Sequence, residues 1–310
     1  VYKKRSSICS AFLLCILSVF VATAADAADF EFLDIKGAGG VPLNVVAAGP
    51  TDAPGILLIH GIGQSYLSWE SQFASPIADT FRLVAFDLRG HGNSGKPWST
   101  SDYASAKIWA EDVHAVIKGA NLDRPVLVGW SYGTLVAIDY VRHFGSENLS
   151  GLNLVGAYGG LVERPLPDSD NPEIQALTEM RKKQYALDIN HNIEASKMMA
   201  DFLTAKTMPD EWRQRAAMIG LLLPPYARQA MWARPLDNAD IVDVLDLPVL
   251  LTVGAQDRGA PVELGEVLLQ VLPDSHLSVY PNTGHSPFVE DSVRFNNELM
   301  EFAAKSFSQE

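Results

Sequence analysis

Val126-Leu127-Val128-Gly129-Trp130-Ser131-Tyr132-Gly133 is the stretch that decides the fold. Its first half, behind Pro125, is a short apolar run of the kind found in a strand buried on both faces. Its second half is G-x-S-x-G, and from 135 to 144 the apolar spacing turns helical. That pattern between a strand and a helix is a nucleophile elbow, a strained turn that lifts a serine hydroxyl above the sheet. The glycines are needed because so tight a turn leaves no room for a Cβ on either side of the serine. Five residues can arise by chance, so the surroundings must carry the assignment.

Outward from the elbow, short apolar runs alternate with helical stretches. Runs 30–36 and 42–48, joined by Gly37-Ala38-Gly39-Gly40, read as two strands around a turn. Runs 55–60, 82–86, 125–129, 152–157, 248–253 and 276–280 read as strands of a sheet, and 103–119, 262–271 and 287–307 as helices. The alternation predicts an α/β fold: one open, mostly parallel sheet with helices on both faces. The stretch 161–235 lacks strand signals and is too long for a loop. Helices are expected at 172–189, 193–204, 209–221 and 226–232, forming an inserted cap over the strand ends, with 28–160 and 236–310 as the core. Most of its large side chains, among them Met198, Met199, Met208, Met218, Met231, Trp212 and Trp232, are expected to glue these helices together. The remainder would line an adaptable apolar pocket.

The 310 residues suffice for one such domain plus an insertion, and 47% hydrophobic with 20% charged residues is globular composition. A net charge of −13 without a basic stripe argues against a nucleic-acid partner and serves solubility. Lys3, Lys4 and Arg5, the apolar run 11–24, and the small-x-small patterns Ala22-Thr23-Ala24 and Ala25-Asp26-Ala27 predict a signal peptide at 1–24, cut near 24 or 27. The run reaches about 21 Å, short of the roughly 30 Å hydrocarbon core. Including Ser6 to Ser10 and Ala25 gives an uncharged stretch of twenty, which is the alternative reading as an uncleaved anchor. Export would deliver a periplasmic or secreted protein of net charge −16 with no stable membrane partner. Cys9 and Cys15 are the only cysteines, so the exported chain would have neither disulfide nor thiol nucleophile.

A serine hydroxyl needs a base, an orienting acid and an oxyanion site. In the chain order Ser, Asp, His, the acid candidate is Asp257, just beyond the strand ending near Val253, and the base candidate is His285, in Pro281-Asn282-Thr283-Gly284-His285-Ser286-Pro287. All three fall at carboxyl ends of parallel strands, where open α/β sheets place their sites. Among other histidines, His114 and His143 lie on helices as surface or structural residues, and His191 lies in the cap, where it either faces solvent or contacts substrate. His91 belongs to Asp87-Leu88-Arg89-Gly90-His91-Gly92, read as a rigid hydrogen-bonded turn. Asp237, Asp240, Asp243 and Asp246 precede a strand and sit at the wrong end of the sheet. Backbone N–H groups should form the oxyanion hole: Tyr132 at the start of its helix, and Ile62 in the loop His60-Gly61-Ile62-Gly63-Gln64-Ser65.

Together His60-Gly61-Ile62-Gly63, Asp87-Leu88-Arg89-Gly90-His91-Gly92, the elbow, Asp257 and Gly284-His285 resemble the α/β-hydrolase superfamily over nearly everything from Phe30 onward. Within it the chain resembles the small-molecule branch of esterases, lactonases, cofactor-free haloperoxidase-like perhydrolases and carbon–carbon bond hydrolases. The resemblance implies Ser131 as nucleophile, His285 as base, Asp257 as its orienter, and Ile62 and Tyr132 as oxyanion donors. Serine in the elbow disfavours the dehalogenase and epoxide hydrolase chemistries, which use aspartate there. Thr134 departs from the second glycine many relatives carry after the elbow. The expected activity is hydrolysis of small carboxylic esters through an acyl-enzyme, on a small-molecule acyl substrate, needing neither metal nor organic cofactor. The rivals sharing the triad are the other chemistries of that branch; an acyltransferase or a non-catalytic binding module stands further off.

Overall fold

The computed structural model describes residues 30–163 and 169–309, so the predicted export signal, its cleavage sites and both cysteines lie outside the described residues. The strands are β1 (Glu31–Lys36), β2 (Pro42–Ala48), β3 (Gly55–Ile59), β4 (Arg82–Phe86), β5 (Val126–Trp130), β6 (Gly151–Val155), β7 (Val249–Gly254) and β8 (Ser275–Tyr280). They form one sheet in the order β1-β2-β4-β3-β5-β6-β7-β8. β1 and β2 pair antiparallel, as do β2 and β4; every other neighbouring pair is parallel. Strands β3 to β6 are buried at every residue, which is why they read as short, largely apolar runs. At the edges, β1 and β8 keep solvent-facing positions and mixed composition.

The helices outside the insertion are α1 (Glu70–Phe73), α2 (Ile77–Thr80), α3 (Ala106–Gly119), α4 (Tyr132–Phe144), α9 (Val262–Leu269), α10 (Pro287–Glu290) and α11 (Ser292–Ser308). Successive strand residues serve opposite faces. Leu57, Ile59 and Leu127 join Val113 of α3 and Ile138 of α4 in one core, whereas Ile56, Leu58 and Val128 join Trp69, Phe288, Phe295 and Leu299 in the other. Between β6 and β7 the chain forms α5 (Pro172–Tyr185), α6 (Ile189–Phe202), α7 (Asp210–Gly220) and α8 (Pro225–Ala233).

Boundaries differ from expectation where caps decide them. Asp188 accepts from Asn190 N, so α6 begins at Ile189 and not at 193; Ser105 likewise starts α3 at Ala106 by accepting from Lys107 N. The closing helix breaks at Asp291 (φ −139°, ψ 58°) into α10 and α11. The β3–β4 connection holds two single-turn helices, α1 and α2, whose Phe73 and Ile77 anchor them to the second core. One turn is too short to display a helical period.

The turn after β4 is held by buried polar bonds. Asp87 accepts from Asn44 Nδ2 (2.9 Å), Tyr66 N (2.9 Å) and Asn93 N (2.8 Å). Arg89 pairs with Asp112 through two 2.6 Å bonds and also donates to Asp102 O and Ala38 O. Both partners of that pair are buried, so each depends on the other for its charge to be tolerated.

Candidate active site

Ser131 stands between the last residue of β5 and the first of α4, at φ 54° and ψ −117°. A non-glycine residue in that region is strained, and here the surroundings enforce it. A Cβ on Gly129 would lie 2.5 Å from Gly133 O, and one on Gly133 would lie 2.3 Å from Ile59 O. Both contacts are with backbone, so neither glycine tolerates replacement without moving a strand. Ser131 N donates to Val155 O (2.9 Å), tying the turn to β6. Thr134, the departure noted in the sequence, closes the turn from behind: its hydroxyl donates to Ser131 O (2.6 Å) and accepts from Gly159 N (3.1 Å).

The loop 60–65 lies against this serine. A Cβ on Gly61 would sit 3.0 Å from Ser131 Cβ. His60 is fully buried; its Nδ1 faces Gly61 O (2.7 Å) and its Nε2 accepts from Leu88 N (3.0 Å). That pair of contacts fixes a neutral imidazole with the proton on Nδ1, and burial holds its pKa below the usual histidine value. His60 is therefore a strut of the loop. Ile62 is buried in the loop, and Tyr132 opens α4, so the Tyr132 N–H is among the helix amides without an intrahelical acceptor.

Asp257 and His285 meet directly. His285 Nδ1 lies 2.9 Å from Asp257 Oδ2 and 3.1 Å from Oδ1, with both side chains buried. Asp257 Oδ1 also accepts from Gly259 N (2.6 Å), which fixes the carboxylate. Trp130, next to the serine, donates Nε1–H to His285 O (2.8 Å) and so ties the histidine loop to the elbow. Several glycines make room for the pair. A Cβ on Gly156 (φ 63°) would lie 2.8 Å from His285 O and 3.2 Å from its Nδ1, and one on Gly254 would lie 2.1 Å from Gly284 O.

Behind the elbow, the Tyr132 side chain belongs to the core and not to a pocket. Its hydroxyl donates to Met231 O (3.1 Å) and accepts from Arg234 Nε (2.7 Å), so the end of α8 is fastened to the start of α4. Arg234 Nη2 approaches Asp139 Oδ2 to 2.8 Å, yet neither carboxylate oxygen receives an aligned hydrogen bond. Burial therefore outweighs the guanidinium, and the Asp139 carboxyl is pushed up to about 6. Because the folded value is raised above the 3.8 reference, the associated stability is present at low pH and lost as pH rises through about 6. We predict a fall of up to roughly 3 kcal/mol between about pH 4 and pH 6.5. Melting curves across that window should show the slope in the wild type and its loss in Asp139→Asn, whatever the variant's absolute Tm.

Other candidates fall elsewhere. His91 is buried with Nδ1 3.1 Å from Arg89 O, His114 stacks on Phe144 at 4.2 Å, His191 is exposed beside Asp188, and Asp240 binds Arg142 at the surface. Met180 and Met231 are buried and Met218 is 68% exposed. Trp212 lines a narrow cleft of about 20 Å³ together with Gln64, Leu67, Trp130, Ile219 and Phe288. Reading the sequence missed Glu290. Its Oε1 accepts from Gly284 N (2.7 Å), and its Oε2 accepts from Ala205 N and Lys206 N (both 2.9 Å), joining the histidine loop to the helical insertion. A lone acid at the end of a short helix gives no signal of that role.

Residues 56–298 match the profile of the alpha/beta hydrolase family. The AB hydrolase superfamily protein YisY of Bacillus subtilis is 29% identical over 261 residues, spanning 80% of this chain and 91% of that protein. The bifunctional esterase/perhydrolase DCH of Acinetobacter calcoaceticus is 24% identical over 262 residues, 82% of this chain and 93% of that one. The crystal structure of the esterase RhEst1 from a Rhodococcus species superposes with a TM-score of 0.76 at 29% identity, covering 88% of this chain and 98% of that one. With its eight-stranded sheet, its serine elbow and a profile match over most of its length, this chain belongs to the alpha/beta hydrolase family.

Proposed function

We propose that the chain is a carboxylic ester hydrolase that forms an acyl-enzyme on Ser131. The observation that carries the reading is the Asp257–His285 hydrogen bond, held by Trp130 beside the strained serine turn. Ser131 Oγ adds to the ester carbonyl while His285 Nε2 takes its proton. Asp257 keeps the proton of the imidazole on Nδ1 and stabilises the imidazolium that forms. The Ile62 and Tyr132 N–H groups meet the developing oxyanion, each worth about 10²–10³-fold in kcat. The leaving alcohol receives the proton from Nε2. Water then adds by the same route, frees the acid and restores the serine.

Residues 28–160 and 236–310 form the catalytic core in this reading, and 161–235 a cap that shapes the acyl pocket. The segment 1–24 serves as an export signal, so the substrate is an ester met outside the cytoplasm. The test is labelling with diisopropyl fluorophosphate. One covalent adduct on Ser131, formed in step with loss of 4-nitrophenyl butyrate hydrolysis, is expected; full activity after exhaustive treatment would refute the serine mechanism.

A second reading is favoured by the relative described as a bifunctional esterase/perhydrolase. Hydrogen peroxide in place of water at the acyl-enzyme would release a peracid. Peracid accumulation from ethyl acetate and peroxide, lost on the same labelling, would establish it.

A further inference from the structure

Arg228, on α8, is only 4% exposed. Other buried arginines here have carboxylates: Arg82 has Glu31, Arg89 has Asp112 and Arg234 has Asp139. Among the described residues Arg228 has none. Its Nη2 donates to Gly220 O (3.2 Å), and its Nη1 has no hydrogen-bond partner. Burial pushes its pKa down to about 10, which leaves it cationic at neutral pH. A desolvated guanidinium without a counter-ion costs free energy that the protein itself does not offset.

The guanidinium sits on the loop that covers the nucleophile. A Cβ on Gly63 would lie 2.9 Å from Nη2 and 3.1 Å from Nη1, and two residues earlier a Cβ on Gly61 would lie 3.0 Å from Ser131 Cβ. The buried carboxylate of this neighbourhood, Asp87, acts on His60 and Lys96 and is held by Asn44, Tyr66 and Asn93, and it does not pair with Arg228. His91, whose Nε2 is also buried and unpartnered, is held neutral by burial, by His60 and by the Arg228 charge itself. Tyr185 is a phenol, and Lys96 Nζ is occupied by the carbonyls of His91, Gly92 and Ser94. A cation and an imidazole lone pair are thus left unsatisfied, the cation against Gly63 of the loop that also carries Gly61.

We propose that Arg228 receives a carboxylate carried by the substrate, so that the preferred substrates are esters bearing a free carboxylate group. A planar guanidinium matches a carboxylate, and a single one suits a monoanion better than a dianionic phosphate. This assignment rests on the Ser131 ester hydrolase reading. It adds that substrate selection is electrostatic.

The experiment compares charged and neutral esters of equal length by proton release. Monomethyl succinate, glutarate and adipate are set against methyl butyrate, valerate and caproate, and 3-acetoxypropanoate against propyl acetate. In the wild type, kcat/KM for at least one anionic ester should exceed that for its neutral counterpart by tenfold or more. In Arg228→Met this ratio should fall at least tenfold, chiefly through KM, and Arg228→Lys should recover part of it. The melting temperature of Arg228→Met should be unchanged or higher, because an unpaired buried charge has been removed. In the wild type alone, glutarate or a longer dicarboxylate should inhibit neutral-ester hydrolysis competitively. Ratios near one throughout, or parallel losses on both ester classes with a lower Tm, would overturn the carboxylate assignment while leaving the hydrolase intact. Failure to hydrolyse any ester would overturn both.

Discussion

Ser131→Ala should reduce kcat for 4-nitrophenyl butyrate by about 10⁶-fold. No substitute nucleophile is available at the elbow: the neighbours on either side are Trp130 and Tyr132, both buried, and the turn is locked by backbone contacts that alanine does not disturb. The strain at φ 54° is set by the backbone, so alanine inherits it and the fold should survive with little change in Tm. Any residual rate above the solvent reaction would come from the oxyanion donors and from binding. The check is single-turnover kinetics on chromatographically pure variant, with the burst of 4-nitrophenol abolished. A variant retaining a tenth of wild-type turnover would remove Ser131 from the mechanism.

Asp257→Asn should cost about 10⁴-fold in kcat while sparing KM. The carboxylate now accepts from His285 Nδ1, at 2.9 Å from Oδ2, and from Gly259 N at Oδ1. An asparagine amide fits the same space. Gly259 N needs an acceptor, which turns the amide oxygen towards it and the amide nitrogen towards His285. The nitrogen then donates to Nδ1, forcing the imidazole proton onto Nε2, where it cannot accept from the serine. The variant should be nearly as stable as wild type, and its activity should recover as hydroxide replaces the missing base at high pH. A loss of less than tenfold would show that Asp257 does not set the tautomer.

Much of the sheet was legible because burial on both faces writes long apolar runs, as in Gly55–Ile59 and Val126–Trp130. The elbow, Asp257 and His285, the groups of the proposed mechanism, were legible because they sit just beyond strand ends with glycines around them. What stayed hidden depends on contacts between distant segments. Gly156 reads as an ordinary strand terminus, yet it makes room for the His285 ring from across the sheet. Thr134 reads as a subfamily departure, yet its hydroxyl braces the serine turn. Arg228 carries no signal in the sequence, because no local pattern tells a buried guanidinium from an exposed one. Single-turn helices such as Glu70–Phe73 are invisible to periodicity for want of length.

The two oxygens of Glu290 hold Gly284 N on one side and the Ala205 and Lys206 amides on the other. The loop that carries His285 and the helical insertion thus share one mechanical latch. Lifting the insertion at 205–206 would withdraw a support from the loop that aims the imidazole. With His285 as the base and the insertion as the cap, as proposed above, opening for product release and disarming of the base would be the same movement. Under that mechanism the site would be least reactive when most open, so stray water entering it would find a slack catalyst.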